Sequence, residues 1–160
     1  MYSPLAWVMN TGFFLFGLAA LTGVLLLRGL PGRRYRPAVA MAARLATGAV
    51  VLAFFPGSGE AGDGATDYHA LGALMGFIGG NVLAILIGRM HRLLGFPRRL
   101  GTALVGAGIV GLGSLVTYMA VVESGAGGLI GLVERGIVYP FLIGFIVVGA
   151  ALRKRPLAAG

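Results

Sequence analysis

Apolar residues run in five long blocks along this chain, residues 5–27, 38–55, 70–88, 101–122 and 136–152, and every charged residue except Arg44 falls outside them. A hydrocarbon layer roughly 30 Å thick is crossed by about 20 helical residues at about 1.5 Å each. Inside such a layer every backbone polar group must find a partner on the chain itself, which a helix provides within one segment. The pattern predicts an all-α, polytopic transmembrane helical bundle of five spans, with residues 1–160 forming a single transmembrane domain. No gap is long enough to fold as a soluble domain.

Charge gives the spans a direction. The five acids, Glu60, Asp63, Asp67, Glu123 and Glu134, fall in or beside the second and fourth gaps. Arg28, Arg33, Arg34 and Arg36 occupy the first gap, Arg89, Arg92, Arg98 and Arg99 flank the third, and Arg153, Lys154 and Arg155 end the chain. Basic segments near span ends are retained on the cytoplasmic side, which predicts an N-out, C-in arrangement. The first block reads as a retained span and not a cleaved leader, because no cationic segment precedes it and Arg28 follows it. A net charge of +8 on a soluble chain would suggest nucleic acid. Here the cations are short juxtamembrane clusters, so the expected partners are membrane lipids, with anionic head groups at the inner clusters and no nucleic acid. The absence of cysteine removes disulfides and thiolate chemistry. Arginine in place of lysine, with abundant Gly and Ala, fits a GC-rich bacterial genome and hence a bacterial plasma membrane.

Within this frame, residues 28–37 predict a short hairpin connection, and residues 57–66 an exposed loop leading to Asp67 as the cap of span 3. Gly72, Gly76, Gly79 and Gly80 bare one face of span 3, and Gly101, Gly106, Gly108, Gly111, Gly113 and Ser114 do the same for span 4. Small residues let membrane helices approach closely, so spans 3 and 4 are expected to pack on one another. Residues 125–135 predict a short interfacial helix, and Pro140 a kink or wide turn. Trp7, Tyr68, Tyr118 and Tyr139 fall where an outer aromatic belt would lie.

Polar groups inside spans are few and therefore informative. Arg44 and Asn81 each lie about 12 Å from the inner edge, so they form a candidate buried polar pair, the alternative being that Arg44 extends to the head groups. At the outer end, Asn10, His69, Glu134 and Arg135 are candidate ligand-binding residues. His69, Asp67 and Glu134 are the candidates for acid–base chemistry, since imidazole titrates near neutrality. With a single histidine on that side, no metal site and no cofactor are predicted; His91 is on the other side. Neither a nucleophile elbow, a phosphate loop nor a dinucleotide fingerprint is present.

The order of several short landmarks resembles the bacterial membrane family catalogued as domain of unknown function 998: Ser3-Pro4-Leu5 with Asn10 and Gly12, Phe55-Pro56, His69 with Leu71-Gly72-Ala73, Gly80-Asn81, and Gly131 with Glu134-Arg135. The resemblance implies a small helical bundle without an established activity. It also implies six spans, of which this chain matches the last five, so that a partner helix or a second copy would cover the side left open. The functional expectation is a non-catalytic protein that binds a lipid or small apolar ligand, or serves as a membrane partner subunit, through a polar pocket at the outer mouth. The rivals are a lipid-processing or isomerising enzyme using His69, and a small transporter.

Overall fold

The computed structural model describes residues 6–27, 30–55 and 64–153. Ser3, Pro4, Leu5, Arg28, Pro56, the acids Glu60 and Asp63, and the tail cations Lys154 and Arg155 lie outside the described residues. Five helices follow in order: α1 (Ala6–Leu25), α2 (Gly32–Phe54), α3 (Gly64–Arg89), α4 (Arg98–Ser124) and α5 (Gly127–Arg153). All five are long and apolar enough to cross a membrane, so the chain is a multi-pass all-α membrane protein. It divides into two compact units, Met1–Leu83 and Ala84–Gly160, with the boundary inside α3.

In the first unit, α2 buries Ala38, Ala42, Leu45, Ala49 and Leu52, a four–three alternation that keeps one stripe of the helix turned inward. Most of that stripe is alanine, so neighbouring backbones come near. A methyl group added to Gly17 of α1 would lie 2.8 Å from Ala49 Cβ and 3.1 Å from Ala46 Cα. The α2–α3 seam is tighter still. A methyl on Gly48 would sit 2.5 Å from the Gly72 carbonyl oxygen and 2.6 Å from the Gly76 amide nitrogen, and one on Gly79 would sit 2.7 Å from Leu45 N. These are contacts of backbone on backbone, which only glycine permits.

The second unit repeats the alternation. Gly101, Leu104, Gly108, Gly111 and Leu115 are buried on α4, and Ile137, Phe141, Gly144 and Val148 on α5. Gly136 accepts the Ser114 side chain, whose Oγ would be 2.8 Å from an added methyl, and Gly144 accepts Leu104. The end of α3 meets α4 where Gly88 and Gly101 touch; a methyl on Gly88 would be 2.6 Å from the Gly101 carbonyl oxygen.

Several expectations are corrected by these helices. Residues 28–37 are not all connection, because α2 starts at Gly32 and carries Arg33, Arg34, Arg36 and Pro37 on helix. The loop before span 3 gives way to helix at Gly64, so Asp67 lies within the first turn of α3 and is not its cap; its carboxylate still sits at the favourable, positive end of the helix. No separate interfacial helix forms between spans 4 and 5. Gly125 closes α4 in a left-handed conformation at φ 72°, α5 begins at Gly127, and the helix continues through Pro140 to Arg153 without a wide turn. Gly72 and Gly79 of α3 pack on α2, and Gly88 near its end meets α4 at Gly101, a contact between the two spans expected to pack on one another; Gly106 and Gly113 of α4 have nothing within 4 Å.

Candidate functional site

In the first unit, the candidate residues near the α2–α3 connection converge on one closure. Phe55 follows the last residue of α2, where carbonyl groups have no partner in the next turn. His69 Nδ1 lies 2.9 Å from the Phe55 carbonyl oxygen. A carbonyl oxygen only accepts, so Nδ1 carries the hydrogen of this bond. Beside it the rings of Phe55 and Tyr68 meet with centroids 4.8 Å apart. His69 therefore ties the start of α3 to the end of α2. Asp67 is exposed in the preceding turn. Asn10, on α1, has a buried Oδ1 without a hydrogen-bond donor.

Deeper in the same unit, Asn81 is fully buried and donates from Nδ2 to the Phe77 carbonyl oxygen at 2.9 Å, one turn back on its own helix. Arg44 is partly buried, with its Nε enclosed and lacking an acceptor. An enclosed guanidinium nitrogen is costly in hydrocarbon, so this position is under electrostatic tension whichever way the rest of the head group turns.

In the second unit, Glu134 and Arg135 are exposed on α5. Being adjacent on a helix they point about 100° apart, as their sequence positions require. Glu134 lies within electrostatic reach of Tyr118 on α4. Among the described residues no cluster of His, Cys, Asp or Glu is arranged to hold a metal ion.

The group that sequence reasoning passed over is His91. It sits in the turn after α3, its Nδ1 3.0 Å from the Gly88 carbonyl oxygen, and its ring fills the space that a side chain on Gly101 would take, 2.6 Å from Cγ. The signal was present in the pairing of Gly88 with Gly101 across a Gly-Phe-Pro turn, but glycines in membrane helices announce close approach without saying to what. Around His91 the chain closes in a Schellman motif: Phe96 N–H donates to the His91 carbonyl at 2.7 Å and Gly95 N–H to the Arg92 carbonyl at 3.1 Å. Gly95 takes the left-handed conformation that this closure requires, at φ 59°.

The fold thus defines a multi-pass helical membrane protein in which His69, Asn81 and His91 are each engaged with a backbone carbonyl. No family model, curated protein or solved structure matches this chain.

Proposed function

We propose that the chain is a non-catalytic integral membrane protein of a bacterial plasma membrane, oriented N-out and C-in, that holds a lipid or small apolar molecule or serves as a partner subunit. The observation that carries this reading is the character of its surface. Trp7, Phe14, Leu18, Val116 and Ile146 are among many large apolar side chains left exposed along the helices, a surface that water does not solvate and lipid does. Each unit has polar groups assigned to the extracytoplasmic end that would meet a head group there, Asn10 and His69 in the first and Glu134 and Arg135 in the second. The orientation follows from the segregation of acids and arginines between alternate gaps. Kinship with the domain of unknown function 998 family belongs to the same reading and rests on the sequence landmarks.

Mass spectrometry of the purified full chain tests it: a lipid or metabolite retained in stoichiometric amount is expected, and a protein found empty across several detergents contradicts ligand binding. A second reading, a lipid-processing or isomerising enzyme, draws on His69 as its acid–base group, an imidazole whose Nδ1 is held by the Phe55 carbonyl oxygen. Under it His69→Ala abolishes turnover of an added lipid substrate while the protein stays folded; under the first reading the loss is one of stability.

A further inference from the structure

We propose that the turn between α3 and α4 is a preorganised seat for the head-group phosphate of an anionic phospholipid, built by Arg89, Arg92, Arg98 and Arg99. The inference rests on the five-span membrane reading and names a partner for its basic face.

All four arginines are exposed, and they come from both flanks of one turn. No acid occurs between Asp67 and Glu123, so no carboxylate neutralises them from nearby in the chain. Their mounting is rigid. The Schellman closure fixes the backbone between Arg92 and Phe96, and Met90, Leu94 and Phe96 are 3%, 3% and 6% exposed, so the turn is anchored from within while its charges point outward. Leu93 remains half exposed among them and supplies an apolar contact for the lipid beside the charged groups.

The two flanks differ in a way that implies an anion. Arg89 ends α3 and Arg92 lies in the turn just beyond it, near the C-terminal end of the helix, where the dipole favours cations. Arg98 and Arg99 open α4, at the positive end, where the dipole disfavours them; Pro97 offers no side-chain cap and the first turn holds no acid. A phosphate bound there accepts from the guanidinium groups, in the forked geometry arginine suits, and offsets the unfavourable charge at the helix start.

The test is native mass spectrometry of the full chain in detergent, titrated with phosphatidylglycerol or phosphatidylcholine, and repeated with inorganic phosphate as competitor. The wild type is expected to prefer phosphatidylglycerol, R98Q/R99Q to bind it about tenfold more weakly, and R33Q/R36Q, which removes equal charge, to change less than about twofold. R98K/R99K should recover part of the loss, since charge returns without the fork. Equal losses in the two glutamine variants, or no preference between the lipids, overturn the proposal, as does complete displacement of the lipid by millimolar phosphate. Circular dichroism of each variant confirms that its helices persist. A chain that reconstitutes as a multi-span protein yet shows no anionic preference fails this inference alone, whereas a chain that needs no detergent fails the membrane reading beneath it.

Discussion

The seam between α2 and α3 and the outer face of α4 are both rich in glycine, yet the residue does opposite things in the two places. At the seam, Gly48, Gly72 and Gly79 bring one backbone against another, with no room for a methyl group. On α4, Gly106 and Gly113 have nothing within 4 Å of where a side chain would start. Burial follows the same division: half of the apolar window of α3 is buried, against 17% for α4 and 11% for α1. In lipid the hydrophobic effect does not drive helices together, so the seam is held by contact geometry, and glycine there is the interaction itself. On the open faces glycine is merely a small residue presented to lipid.

The contrast can be broken most sharply at Gly48. Gly48→Ala forces a methyl against backbone atoms that cannot rotate away, and a loss of about 3 kcal/mol or outright failure to fold is expected. Thermal unfolding in detergent measures it, and a shift no larger than that of a surface variant would mean the seam is looser than described. Gly101→Ala comes next, with an expected cost of about 2 kcal/mol, because the added methyl meets both the His91 ring and the Gly88 carbonyl. His91→Ala in that background removes only the ring and should restore part of the stability; full restoration would show that the backbone contact is unimportant. His69→Ala removes one side-chain bond to the Phe55 carbonyl and should cost about 1 kcal/mol. At the small end, Gly106→Ala should stay within about 0.5 kcal/mol of the parent protein. A large loss there would reveal a partner on the α4 face.

What was legible in the sequence follows the same line. Five spans could be read because hydropathy reports directly on lipid, and the apolar runs leave no other reading. Helix ends could not, since a helix may extend beyond the hydrocarbon layer: α3 starts at Gly64 and α5 at Gly127, in stretches whose polar or glycine-rich composition reads as loop or interface. The wide turn expected at Pro140 does not form, since α5 runs through it, and a membrane helix tolerates proline where neighbouring groups re-satisfy the freed backbone. The partners of the glycines were hidden for a different reason. Gly72 and Gly76 at a spacing of four predict close approach, but that α2 lies against this face depends on its matching surface of alanines from Ala38 to Ala49, a complementarity between two helices that neither shows alone. The candidate site was legible only as a set of residue types. That His69 closes onto Phe55, and that Arg44 Nε is enclosed without an acceptor, are products of tertiary packing.

The open faces are lipid-facing only if the helices span, and the proposed N-out, C-in orientation assigns the ends of each span from the gap charges. Because the chain contains no cysteine, single introduced thiols report on this without background. Gly62→Cys and Leu93→Cys, treated in intact cells with a membrane-impermeant maleimide, form the most direct test. The account predicts that residue 62 is labelled from outside and that residue 93, on the arginine-bearing turn, is labelled only after the membrane is permeabilised. Labelling of residue 93 from outside with protection of residue 62, or equal labelling of both, would contradict it.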